Sequence, residues 1–437
     1  MNKIIEEWKK VLNTPSITDH LGDKGKIVML LGAGFSIDQG YPRAVDVAEK
    51  LTSLSDSQFF LSSEGVLCDN LNNDAQIIIQ DSIFHRTYLL LIDLIKLYCS
   101  HKRLGNFNYE EFYDLINISQ RHRFSCYDPI FDIFNDECKS VACKYTTEFI
   151  TYEQLLRRMP IVYSQVIEAT IRKNGMTTPF YADVHTTMDS FPNYTNFLRF
   201  LKKQSVSNII DVFTLNHDLF FESFRNVQEL QDDIKHCSLI SDGFDDYGSE
   251  FFGVVKSGEN LYKCRLERYT GRYNTSIRLY KLHGSFDYVL CYKMVKTSKG
   301  NYAIPIKYVK SKKGIMPFEF YKSNGCKMKY ELCFTDYCES FLSGTVSKTL
   351  QYADKLLYAK LFKRFNNCLR NANKLIIIGY SGNDKIINNC ILRSFDYRKG
   401  KCTIIDYAPG KELKEFAKQI DADILTGRIN EQIINIE

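Results

Sequence analysis

The chain has 437 residues, 44% of them hydrophobic and 25% charged, and a formal net charge of +5. Such a composition supports a large buried core and excludes a chain that is disordered throughout. No apolar run approaches the roughly 20 residues of a membrane-spanning helix, and residues 1–10 are charged and helical in pattern rather than an export signal, so the expected location is cytoplasmic with no membrane partner.

The first strong element is the unbroken apolar run at 27–31, which stops at Gly32-Ala33-Gly34. A continuous run of this length ending in a glycine turn predicts a parallel strand buried on both faces. Residues 42–54 predict a helix. Glycine lets a backbone approach a pyrophosphate, and a helix start offers unpaired N–H groups. Position 37 is Ile, so the full G-x-G-x-x-G pattern is absent; a nucleotide-binding turn and a tight structural turn both fit.

Residues 74–175 are helical in period, too long for a crossover helix, and predict a helical insertion or lid over 74–180. The sheet resumes at 209–214 and ends in Leu215-Asn216-His217-Asp218. Asn216 and Asp218 stand where ligands of open α/β sheets bind, although Asp218 also suits the cap of a short helix after it. His217 should point away from Asn216 and reads as structural.

Residues 236–345 carry short alternating runs and predict a β-rich insertion that contains the turn at His283-Gly284. A histidine there can act as a general base near neutral pH or be a satisfied structural residue. A helix is predicted over 350–373, then a buried strand at 374–378 ending in Gly379-Tyr380-Ser381, a helix at 384–395, and a strand at 403–405 closed by Asp406. The alternation at both ends predicts an α/β fold, a Rossmann-like doubly wound, mostly parallel sheet in one domain over 1–437. A carboxylate after a late strand, such as Asp406, suits a ribose diol.

Taken together, Gly32-Ala33-Gly34 with Ser36, Gly40-Tyr41-Pro42-Arg43, Leu215-Asn216-His217-Asp218, Leu282-His283-Gly284-Ser285 and Ile378-Gly379-Tyr380-Ser381-Gly382-Asn383-Asp384 resemble, in order and rough spacing, the sirtuin-like domain of bacterial antiphage NADases. The resemblance spans 27–406, with 55–205 and 236–275 alike only in general character. It implies NAD as substrate. Gly32, Ala33, Gly34 and Ser36 would hold its phosphates, with Pro42 in the same binding set. Asn216 would orient the nicotinamide ribose and Asp218 would lie near the carboxamide. His283 would be the catalytic histidine, and Gly379, Ser381 and Asp406 would line the adenosine half. The implied activity is NAD+ glycohydrolysis that depletes NAD+ during phage infection, with a homo-oligomer or a second defence-system protein as activator. A sirtuin-type deacylase or ADP-ribosyl transferase, and a subunit that binds NAD or ADP-ribose without cleaving it, are the alternatives.

Two departures favour hydrolysis over deacylation. No peptide-clamping segment is evident, and the cysteines after the His-Gly turn, Cys291, Cys326, Cys333 and Cys338, form no C-x-x-C pair, so no metal is expected. The other cysteines, Cys99, Cys390 and Cys402 among them, sit in apolar runs and read as reduced, buried thiols. Ten lysines against one acid, Glu319, lie between Lys293 and Lys329. With interleaved aromatics such a stretch can track nucleic acid, but without a nucleic-acid-binding motif it reads as a face for a partner or a second subunit.

Overall fold

The computed structural model describes residues 24–61, 67–68, 82–101, 107–116, 129–171, 186–232, 237–246, 251–257, 260–265, 267–298, 300–310, 321–322, 333–335 and 352–436. Its principal sheet has seven strands, β1 (Gly25–Leu31), β2 (Asn208–Thr214), β3 (Ile240–Ser241), β4 (Ile277–Lys281), β5 (Lys374–Ile378), β6 (Lys401–Asp406) and β7 (Asp423–Thr426), in the spatial order β7-β6-β5-β1-β2-β4-β3. Every pairing in it is parallel. The chain winds from β1 to one side and later returns to the other, so the topological switch lies between β1 and β5, where ligands of this fold class bind.

The apolar run of β1 is needed on both faces. Ile27, Met29 and Leu31 join one buried cluster with Phe197, Ile376 and Ile378. Val28 and Leu30 join the opposite one with Phe365, Ile377 and Ile404. This alternation is the two-residue period of a strand with helices on either side. Helices α6 (Thr195–Ser207) and α8 (Tyr358–Arg370) supply Phe197 and Phe365 to these two layers. Helix α8 begins well after the predicted residue 350.

Register decides where the motifs fall. Leu31 is level with Thr214 and with Ile378, Thr214 with Lys281, and Ile378 with Ile405. The residues that follow these five therefore leave the sheet side by side along its carboxyl edge. Segments hundreds of positions apart in sequence are brought into one row.

The helical insertion contains α2 (Ile83–His101), α3 (Tyr109–Ile116), α4 (Pro129–Ala142) and α5 (Tyr152–Ile171). With α1 (Ala44–Thr52) it buries a core of its own that includes Leu51, Tyr88, Leu94, Phe112 and Tyr163. Phe286, three residues past His283, belongs to this same core. Cys99 on α2 is exposed, against the expectation of burial, whereas Cys390 and Cys402 are buried as expected.

The β-rich region forms a five-stranded and a three-stranded sheet, including the antiparallel hairpin of Tyr288–Thr297 and Gly300–Lys310. The predicted assignment of the His283 strand to this region is corrected: β4 lies inside the principal sheet, paired with β2. Its Arg278, Tyr280 and Lys281 suggest a half-exposed strand, yet all five residues are buried. Asp211 of β2 accepts from Tyr280 at 2.8 Å and lies 4.0 Å from Arg278, so polar side chains are paired inside the fold instead of facing water.

Lys310 is a second correction, because it does not belong to an exposed basic face. It is buried against Asp242, with Asp287 at 3.7 Å and Glu267 at 4.0 Å. Burial alone would lower its pKa, but these carboxylates outweigh it and raise the value. Burial works likewise against Asp242, and the cations of Lys310 and Arg225 hold its carboxyl below the usual range. Residues 1–10, Lys312, Lys313, Lys327, Lys329, Cys326 and Cys338 lie outside the described residues.

Candidate active site

At the switch point the backbones of two turns interlock. Gly32 N donates to Ile378 O and Gly34 N to Gly379 O, each at 2.9 Å. A Cβ on Gly32 would fall 2.5 Å from Gly379 O, and one on Gly34 2.7 Å from Gly379 Cα. Gly379 itself has φ +60 and faces the Gly34 carbonyl carbon at 2.4 Å from where its Cβ would be. These glycines are therefore required by the approach of one turn to the other. Ala33 and Gly34 remain exposed at the strand edge.

The turn continues as a 3-10 helix, Ala33–Gln39. Phe35 anchors it in an aromatic cluster, with ring centroids 5.2 Å from Phe197 and 5.4 Å from Tyr194, and the Tyr194 hydroxyl donates to the Phe35 carbonyl. That anchor fixes Ser36. The Ser36 hydroxyl donates to Asp218 Oδ2 at 3.0 Å and accepts from Asn216 Nδ2 at 3.1 Å. The other oxygen of Asp218 accepts from Phe220 N at 3.0 Å, a local turn ahead of the short helix α7 (Phe220–Ser223), whose cap position is Leu219 rather than Asp218. Burial raises its pKa, while Lys281 and the bonds from Phe220 and Ser36 pull the other way.

Lys281 and Glu222 form the floor of this cluster, and the sequence motifs do not point to either. The two are paired at 2.9 Å with side chains 1% and 2% exposed. The Lys281 ammonium also donates to the carbonyl of Asp218 and, at 3.4 Å, to that of His217. It thereby ties the loop bearing Asn216 and Asp218 to the end of β4. Burial raises Glu222 above the usual carboxyl range, with Lys281 the largest opposing influence. A lysine closing a strand that is otherwise buried was the available signal.

His283 sits in the turn after β4, where Gly284 takes φ +80. Its Nε2 is 3.3 Å from Asp384 Oδ2 and 3.2 Å from the Tyr352 hydroxyl. The ring lies 6.2 Å from that of His217, which also faces Phe286 at 5.9 Å. Asp384 caps α9 (Lys385–Ser394) through Oδ1, which accepts from Ile386 N at 2.9 Å and Ile387 N at 3.1 Å. Asp384 ends one of the sequence motifs, but nothing in the sequence pairs it with a histidine a hundred residues earlier.

The remaining positions flank these groups. Ser381 is exposed and Pro42 half-buried beside α1. Asp406 closes β6 half-buried, accepts from Ala408 N at 2.9 Å, and has its pKa raised by burial. Among the described residues no group of three or more His, Cys, Asp or Glu could hold a metal ion. No helix among them is long and apolar enough to cross a membrane.

No protein-family model matches the chain, and no curated protein matches it. Among solved structures, it is similar to a Sir2 enzyme studied for mechanism and regulation, at 9% identity and TM-score 0.33, covering 100% of this chain and 96% of that one. It is also similar to a mutant Sir2 homologue in complex with 2'-O-acetyl ADP ribose, at 12% identity and TM-score 0.33, covering 99% of this chain and 94% of that one.

Proposed function

We propose that the chain is an NAD+ glycohydrolase. The observation that carries this reading is the hydrogen-bonded group Ser36, Asn216 and Asp218 at the carboxyl ends of adjacent parallel strands, with His283 on the next strand end. In this reading the exposed turn at Ala33 and Gly34, with Ser36 and Pro42, faces the phosphates, and Gly379, Ser381 and Asp406 face the adenosine half.

Asn216 orients the nicotinamide ribose and Asp218 the carboxamide. The bond between ribose C1' and the nicotinamide nitrogen breaks, and its electron pair returns to the ring, which leaves as neutral nicotinamide. The oxocarbenium-like carbon is stabilised by fixed dipoles around it. Water adds to C1' and its proton passes to His283, yielding ADP-ribose.

The biological role proposed with this chemistry is NAD+ depletion in antiphage defence, switched on by self-assembly or by a second protein. The test is incubation of the purified chain with NAD+ and no acyl peptide, over a range of chain concentrations, with nicotinamide release measured by chromatography. Release supports the reading. Release only in the presence of an acyl-lysine peptide replaces it with a deacylase, and binding without release, both for the purified chain and with extract of phage-infected cells added, replaces it with a sensing subunit.

A further inference from the structure

We propose that Asp384 is a positioning residue for His283, fixing which imidazole nitrogen carries the proton. The inference rests on the proposed glycohydrolase only for its consequence on rate; the contact itself is independent of the substrate. The carboxylate is used twice. Oδ1 is held by two backbone N–H groups at the start of α9, while Oδ2 stands 3.3 Å from His283 Nε2.

The segment behind it is also pinned. The Tyr380 hydroxyl donates to the Asp384 carbonyl at 3.1 Å, and Asn388 Nδ2 donates to Gly382 O at 2.7 Å. On the other side, Tyr352 is 1% exposed, packs on Phe362 with ring centroids 4.2 Å apart, and brings its hydroxyl to 3.2 Å from the same Nε2. A carboxylate clamped in this way accepts Nε2–H and leaves Nδ1 as the nitrogen with the lone pair. The hydrogen bond made by one ring nitrogen sets the state of the other. When Nδ1 takes a proton, the carboxylate balances the imidazolium charge.

Several titratable groups face the pair. They are His217 on the β2 loop, Tyr352 before α8, Tyr380 and Cys390 on either side of Asp384, and Glu110 of α3, whose charge reaches Tyr352. Only Asp384 combines a charge with contact to Nε2 among the interactions described above.

Asp384→Asn separates this role from the helix cap, because asparagine caps as well as aspartate. The full chain, labelled at its histidines, is titrated by NMR without NAD+, and His283 is assigned with His283→Gln. In Asp384→Asn the His283 pKa should fall by about one unit, with melting temperature close to the parent. Asp384→Ala should lower both. Where the parent cleaves NAD+, the acid limb of kcat/KM should move to lower pH by the same amount. A His283 titration unchanged in Asp384→Asn overturns the proposal. A parent chain that never releases nicotinamide would sink the glycohydrolase reading, while the NMR shift would still decide this one.

Discussion

Replacing Lys281 with methionine removes one half of an ion pair whose two side chains are 1% and 2% exposed. Glu222 would stay buried without its nearest cation, and among the described residues its Oε2 has no hydrogen-bond partner to begin with. Breaking such a pair from one side costs about 3–5 kcal/mol, whereas replacing both members by apolar residues can be close to neutral. The double variant Lys281→Met, Glu222→Leu should therefore recover most of the loss. It should not recover all of it, because the carbonyl of Asp218 loses a donor, at about 1–3 kcal/mol for a buried unsatisfied group, while the carbonyl of His217 keeps the bond from Phe286 N at 3.3 Å.

The pH dependence has a definite sign. Burial and Asp287 raise Glu222, and with Lys281 gone the largest opposing influence disappears. A carboxyl with a raised folded pKa favours the folded state below its unfolded pKa, and that contribution is lost as pH rises through the folded value. The deficit of Lys281→Met should thus shrink on acidification from neutrality toward pH 5. Urea unfolding of parent, both single variants and the double variant at neutral and acidic pH is the measurement. A Lys281→Met chain as stable as the parent at neutral pH, or one whose deficit grows on acidification, would refute the account of this buried pair.

Asn216→Ala should abolish nicotinamide release while circular dichroism shows the chain still folded, because the substitution removes one buried hydrogen bond, to Ser36, at a cost of about 1–3 kcal/mol. His283→Ala should slow turnover by about 10²–10⁴, the usual worth of a general base, with NAD+ affinity by calorimetry changed less than roughly tenfold; surviving turnover with a lowered melting temperature would make the histidine structural. Gly379→Ala should destabilise the chain by more than the roughly 1–2 kcal/mol of its left-handed backbone, because the new methyl meets Gly34 and Phe35 backbone at 2.4 Å; thermal melting reads this out. Lys312→Glu with Lys313→Glu should disturb assembly measured by light scattering and leave NAD+ affinity intact. Lys310 is excluded from that set by its burial.

The strands at 27–31, 209–214, 374–378 and 403–405 are legible in the sequence because helices cover both faces of their sheet, so most of their residues are apolar, with Asp211, Thr214, Lys374 and Thr403 the exceptions. Strand β4 is not legible in the same way. Its arginine, tyrosine and lysine are neutralised by Asp211 and Glu222, which lie some sixty positions earlier, and one-dimensional periodicity cannot show that pairing. The candidate site divides along the same line. Ser36, Asn216, Asp218 and His283 are visible as polar residues after strands, but the bonds that join Ser36 to Asn216 and Asp218 depend on register. Asp384 and Tyr352 are brought to His283 only by tertiary packing.

The position of β1 at the middle of the sheet also bears on synthesis. Its partners are β2 and β5, and the second of these begins at Lys374. At about 5–20 residues per second, the wholly apolar stretch at 27–31 emerges tens of seconds before its last neighbour does. During that interval one hydrogen-bonding edge of β1 is open, and such an edge is a template for pairing with another chain. Nascent chains halted before Lys374 should therefore depend on chaperones and self-associate once released, whereas chains that extend through Ile378 can close the edge within the molecule.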